Sequence, residues 1–167
     1  AGGAGAGREL RLRLFAPVER THYGQSAQYL VQWLKEIGIR VESTVMPDNQ
    51  ISDRADAGEF DLRLGGWILD PDPDFQLSLQ TCATRPDESG SGATNGFVCD
   101  RELDRRYQEQ AQQTDVTQRV ASVHRFQQRL YALAPLVVLY YPGVLEAYRS
   151  DRVGGLSKRP AGVGSLN

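Results

Sequence analysis

The sequence predicts an α/β fold in which helices flank both faces of a mixed, largely parallel sheet. Three observations carry that expectation. Leu10, Leu12 and Leu14 alternate with Arg11 and Arg13, the period of a half-buried strand. Ala27, Leu30, Val31, Leu34 and Ile37 then recur at helical spacing on one face before Ile39, Val41 and Val45 resume strand character. Finally, Leu136 to Tyr141 is continuously apolar, as in a strand covered on both faces. A strand, a helix and a second strand joined so closely imply a parallel pair with a right-handed crossover.

Residues 1–8 read as a linker or cloning remnant, because Ala1 to Gly7 is a Gly/Ala string without apolar periodicity. They do not suit phosphate binding, since the glycines of a dinucleotide fold follow a strand and open a helix, whereas these precede the first strand. That strand is expected to end near Phe15 to Pro17, followed by a turn over Val18 to Gly24 and a helix that Gly38 stops in the left-handed conformation. Ser52 is placed to cap a short helix through Ala57, and Phe60 to Trp67 reads as the third strand. In Asp70-Pro-Asp-Pro-Asp74, Asp72 suits an N-cap and Pro73 the first helical position, which predicts a helix over Phe75 to Gln80. Thr84 to Gly96 is a surface loop by its Gly, Ser, Pro and Asn content.

Asp100 is expected to cap a helix carrying Leu103, Tyr107 and Ala111. A second helix from about Thr117 turns Val120, Val123, Leu130, Tyr131 and Ala134 inward until Pro135 ends it. Val144 to Tyr148 is placed as an edge strand after Pro142-Gly143, and residues 157–167 form a tail. Residues 9–156 thus make a single lobe.

With 19 Lys and Arg against 21 Asp and Glu, the net charge of −2 supplies no single-sign field to draw in nucleic acid or anionic lipid, so no nucleic-acid partner is expected. Apolar residues at 40% and charged residues at 24% describe a globular chain, long enough to bury about 70% of its extended surface without help from metals. The longest apolar run is far shorter than the roughly 20 residues a membrane helix needs.

Ligands of open α/β sheets bind beyond the carboxyl ends of the strands. Here those ends hold Arg20, His22, Tyr23, Trp67 and Asp70. An aromatic plate beside a carboxylate suits a cationic amine, and a guanidinium nearby suits a carboxylate, so together they fit a zwitterion such as a peptide. In the plainer reading, which composition alone favours, Trp67 is core, Asp70 caps a turn and Arg20 is solvated. Calcium is disfavoured: after Asp70, Asp72 and Asp74, Phe75 stands where an EF-hand needs Gly and Thr81 where it needs Glu. His22, on a loop, and His124, in a helix, lack metal-binding spacing, and there is no GxSxG elbow, so neither a catalytic set, a metal nor a cofactor is expected. Cys82 and Cys99 suit a disulfide across a flexible loop, which implies an oxidising compartment; two buried thiols in a cytosolic protein are the alternative.

The order of Gly38-Ile-Arg-Val41, Phe60-Asp-Leu-Arg-Leu-Gly-Gly-Trp-Ile-Leu-Asp-Pro-Asp-Pro73, Asn95-Gly-Phe-Val-Cys-Asp-Arg-Glu-Leu-Asp104 and Ala134-Pro-Leu-Val-Val-Leu-Tyr-Tyr-Pro142 resembles the peptide-binding proteins of ABC importers. More narrowly, it is similar to the C-terminal lobe of the dipeptide- and oligopeptide-binding family, solute-binding family 5, from about Leu10 to Leu156. The resemblance reverses the plainer reading. It implies that Asp70 holds a peptide's free amino group with Trp67 beside it, and that Arg20 in Pro17-Val-Glu-Arg20 takes the ligand carboxylate. The following Thr21-His22 departs from the family's usual Pro-Tyr; His22 is expected with Arg20, Trp67 and Asp70 among the ligand-binding residues.

Some members carry a disulfide at the positions of Cys82 and Cys99. The family closes two lobes around its solute, so the chain reads as one excised lobe, with residues 1–8 and 157–167 leading toward the other. Its implied partners are a peptide or other small solute, the second lobe and the permease subunits, in a monomer held outside the cytoplasm, periplasmic or lipid-anchored. A free-standing α/β enzyme or regulatory domain, or capture of a nickel chelate or an oligosaccharide, is the alternative.

Overall fold

A computed structural model describes residues 9–67, 70–86, 92, 96–141 and 147–155. The expected linker at 1–8, the tail at 157–167 and most of the edge strand at Val144 to Tyr148 lie outside them; Ala147 and Tyr148 carry no strand. The chain divides into two compact units, with a break between Gly66 and Trp67.

The first unit is built on strand β1 (Leu10–Pro17), helix α1 (Thr21–Glu36), strand β2 (Ile39–Met46), helix α2 (Asp48–Asp56) and strand β3 (Leu62–Arg63). The sheet order is β2-β1-β3 and both pairings are parallel, with Leu10 opposite Ile39 and Leu14 opposite Leu62. The alternation in β1 sorts its side chains. Leu14 and Ala16 face α1 and form a core with Ala27, Val41 and Leu64, while Phe15 faces the other way, where Arg54 of α2 lies over its ring at 5.7 Å. Helices therefore flank both faces. Gly38, at φ 82°, makes the left-handed stop after α1.

Several boundaries differ from expectation. Helix α1 begins at Thr21, so the turn before it is shorter and His22 and Tyr23 sit in the first helical turn rather than on a loop. Ile37 is the residue after the helix and is exposed. Helix α2 begins four residues before Ser52 because the Glu19 carboxylate, 29 residues away, accepts the Asp48 amide at 3.1 and 3.2 Å; Ser52 is interior to the helix. The third strand is reduced to Leu62–Arg63 plus one further bond from the Leu64 amide to the Phe15 carbonyl at 2.8 Å. Gly65 and Gly66 offer no side chains to a ladder and Trp67 lies beyond it.

Among its described residues the second unit holds three helices, α3 (Asp74–Ser78), α4 (Arg101–Ala111) and α5 (Val116–Leu133), with one 3-10 turn over Cys82–Thr84. Helix α3 starts at Asp74 and ends before Gln80; the Asp72 carboxylate accepts the Asp74 amide at 2.8 Å while Pro73 occupies the cap position. Asp100 caps α4 through the Leu103 amide, as expected, and Asp115 caps α5 through Gln118. Leu77, Leu103, Val123 and Phe126 form the apolar core, with Phe126 and Leu103 fully enclosed. Val120, Tyr131 and Ala134 face outward instead, Tyr131 at 88% exposure. The inward stripe is set by Val123, Phe126 and Leu130, three and four residues apart, and it leaves no room for the flanking positions.

The run from Leu136 to Tyr141 is neither a strand nor covered: it makes no ladder among the described residues and all six side chains are exposed. Continuous apolarity reports that a segment prefers burial, and it does not say which surface receives it.

Candidate functional site

The first unit places Arg20 and His22 at the carboxyl end of β1. Val18 extends the β1–β2 ladder by one bond to Met46, and Glu19 is held on the α2 terminus, so Arg20 follows a backbone fixed on two sides. Arg20 turns the chain into α1, and its guanidinium lies over the Tyr23 ring at 5.8 Å. The His22 ring meets the same Tyr23 edge-on, with centroids 4.5 Å apart. Arg20 and His22 are therefore joined through Tyr23, whose ring packs on the sheet core.

Gly66 closes this cluster: a Cβ there would lie 2.8 Å from the Tyr23 hydroxyl, so a larger residue would have to displace the end of that side chain.

The second unit places Trp67 and Asp70. Trp67 is 42% exposed and packs edge-on against Phe75 at 5.7 Å, so it is outside the core. The three acidic residues between 70 and 74 have different environments. Arg119, in the first turn of α5, donates to both Asp72 oxygens at 2.6 and 2.7 Å. This pair, reinforced by the Asp74 amide, holds the Asp72 carboxyl down to about 2. Asp74 accepts from the Gln110 amide at 2.7 Å and the Tyr107 hydroxyl at 3.2 Å, both on α4. Burial and then the Asp74 charge raise the Tyr107 hydroxyl above its ordinary value. Asp70 is exposed, and among the described residues its side chain has no hydrogen-bond or ion-pair partner.

Cys82 and Cys99 are joined, with Cα atoms 4.6 Å apart. The bridge ties the segment after α3 to the start of α4, where the Asp104 carboxylate accepts the Cys82 amide at 2.8 Å and Asp100 pairs with Arg129 of α5. The Arg129 hydrogen bond lowers the Asp100 carboxyl. His124 is exposed on α5, and among the described residues no group of three metal-ligating side chains gathers.

Arg119, Gln110 and Gly66 were missed as site residues by sequence reasoning, whereas Tyr23 was among the residues expected at the strand ends. Gly66 carried a signal in its position before Trp67. Arg119 and Gln110 carried none, because their acidic partners lie 47 and 36 residues away.

Among the described residues, the second unit presents an exposed carboxylate without a partner three positions along the chain from an exposed aromatic ring, and the first unit presents a guanidinium stacked on Tyr23.

The family model described as bacterial extracellular solute-binding proteins, family 5 middle, matches residues 2–87. A curated relative, di/tripeptide-binding protein 2 of Pseudomonas aeruginosa (strain UCBPP-PA14), is 31% identical over 130 residues, 77% of this chain and 24% of the relative. The chain thus spans about a quarter of that protein's length.

Among solved structures, the ABC transporter-associated periplasmic binding protein DppA from Helicobacter pylori, in complex with the peptide STSA, is similar with a TM-score of 0.64 and 23% identity; the match covers 75% of this chain and 24% of that one. A periplasmic oligopeptide-binding protein from Thermotoga maritima with bound mannohexaose gives a TM-score of 0.72 at 21% identity, over 82% of this chain and 26% of that one.

Proposed function

This chain belongs to the bacterial extracellular solute-binding proteins of family 5, and from that premise we propose that it is one lobe of a two-lobed peptide-capture protein of an ABC importer, working outside the cytoplasm. The observation that carries the reading is the acidic turn. Asp72 and Asp74 are committed to α5 and α4, while Asp70, three residues after the exposed Trp67, offers an exposed carboxylate without a partner among the described residues. Such a carboxylate binds a peptide's ammonium group by a charge-assisted hydrogen bond, and the indole supplies a cation-π face.

In the first unit, Arg20, stacked on Tyr23 with His22 against the same ring, suits a carboxylate group of a solute. A second lobe completes the enclosure, because small-molecule sites cover most of their ligand's surface. Permease subunits receive the loaded protein. No residue of the site is asked to break a bond, which accords with a transport role.

The test uses the full-length protein that carries this segment. Asp70→Asn weakens a tripeptide with a free amine by about 1.5 to 3 kcal/mol, the range for a hydrogen bond to a charged group. The N-acetylated tripeptide loses much less. Equal losses for the two ligands remove Asp70 from the amine site. Native mass spectrometry of the protein purified without refolding identifies the retained solute: a peptide supports the reading, and an oligosaccharide, such as the one bound by the Thermotoga maritima protein, or a nickel chelate overturns it.

A further inference from the structure

The acidic turn is wired to both long helices of its unit. Asp72 Oδ1 accepts from the Asp74 amide and from Arg119 Nη2, and Asp72 Oδ2 from Arg119 Nη1. Arg119 Nε donates in turn to Gln110 Oε1 at 3.2 Å, and Gln110 Nε2 donates to Asp74 Oδ1. Tyr107 completes Asp74 at Oδ2. The circuit runs from the turn to α5, to α4 and back to the turn, and it gives every carboxylate oxygen of Asp72 and Asp74 a donor. Gln110 is fully buried at its centre, so both ends of its amide are fixed by necessity.

Resting on the reading of Asp70 as the amine receptor, we propose that Arg119 is a positioning residue for ligand specificity: its bidentate hold on Asp72 keeps that carboxylate away from the ligand and fixes the turn so that Asp70 alone reads the amine. Three carboxylates within five residues are three competing receptors for one ammonium group. A ligand shared among them has no fixed register, whereas a ligand offered one carboxylate has a defined first residue. Arg119 is suited to the task because a planar guanidinium fixes direction as well as charge. Stability does not account for the arrangement, since an ion pair with Asp72 more than half exposed contributes little to folding.

The sign of the effect separates positioning from simple charge. Removing the Arg119 cation near an ammonium site would, by Coulomb's law alone, tighten amine binding. The positioning role predicts the reverse. Calorimetric titration of the full-length protein with trialanine and N-acetyl-trialanine is carried out on the unmodified protein, Arg119→Met, Arg119→Lys, Asp70→Asn and the Arg119→Met/Asp70→Asn double variant. Arg119→Met is expected to lower trialanine affinity about fivefold, within the range for groups coupled in one network, and to leave the N-acetylated peptide within about twofold. Arg119→Lys, which keeps the charge and loses the fork, falls between. In the Asp70→Asn background Arg119→Met has no further effect on trialanine.

Unchanged or tighter trialanine binding by Arg119→Met, equal losses for the two peptides, or a full Arg119→Met effect without Asp70 each overturns the proposal. If Arg119→Met does not fold, Arg119→Lys decides by the same selective loss. Absence of trialanine binding by the unmodified protein, or equal losses on Asp70→Asn, instead overturns the peptide-amine reading and this proposal with it.

Discussion

The two units of the chain reach order by different means. In the first, a parallel sheet lays Leu14, Ala16, Val41 and Leu64 against Ala27 of α1, and backbone ladders supply most of the directional bonds. In the second, among the described residues, helices and loops enclose a small cluster of Leu77, Leu103, Val123 and Phe126, and the directional ties are side chains: Asp72 to Arg119, Asp74 to Gln110 and Tyr107, Asp100 to Arg129, and a disulfide. A ladder fixes many residues evenly. A few side-chain ties fix a few residues closely, and the turn carrying the unpaired Asp70 is among those they fix. Both designs place the candidate site residues on an ordered backbone, one through a strand end and the other through a braced turn.

The comparison breaks most readily at the small core. Phe126→Ala removes the largest enclosed side chain and is expected to destabilise by about 3 to 5 kcal/mol, with Leu14→Ala in the sheet core at about 2 to 5 kcal/mol. Urea denaturation measures both. Hydrogen exchange then locates the loss, in α4 and α5 for Phe126 and in β1 and β2 for Leu14. A uniform rise in exchange for both variants contradicts the division into separately organised units.

Next in size is the disulfide. Closing a loop across a separation of 17 residues stabilises by about 3 kcal/mol on chain-entropy grounds. Reduction with dithiothreitol is expected to lower the denaturation midpoint and to loosen the start of α4 before β1. An unchanged midpoint shows that Asp100, Asp104 and their partners hold the segment unaided.

The smallest effect is acidic. Asp72 titrates near 2 in the folded chain, below its ordinary value of 3.8, so its contribution is present above about pH 4 and is lost as the pH falls toward 2. Asp61, lowered by Arg13, and Asp100, lowered by Arg129, act in the same direction. Solvent screening of a pair this exposed limits the Asp72 share to about 0.5 to 1 kcal/mol. Arg119→Met removes that share, so its stability profile between pH 4 and 2 is flatter than that of the unmodified chain. Parallel profiles dissociate Asp72 from Arg119.

What the sequence alone determined is what acts within a few residues. The alternation of Leu10, Leu12 and Leu14 marked β1, the helical spacing from Ala27 to Leu34 marked α1, Gly38 marked its end and Asp100 the start of α4. The cap at Asp115 was not read from the sequence, which placed the start of that helix at about Thr117; the structure shows it through the Gln118 amide. The order of such segments also carried the resemblance to solute-binding proteins and the positions of Arg20, Trp67 and Asp70.

The tertiary structure decided what depends on partners far along the chain. Glu19 set the start of α2 from 29 residues away, and Arg119 claimed Asp72 from 47. The apolar run at Leu136 to Tyr141, which reads like a buried strand, stayed exposed. The physical reason is range: caps and periodicities act through backbone neighbours a turn or a pleat apart, whereas a carboxylate is equally ready for any donor. Only folding determines which of three neighbouring carboxylates meets a guanidinium.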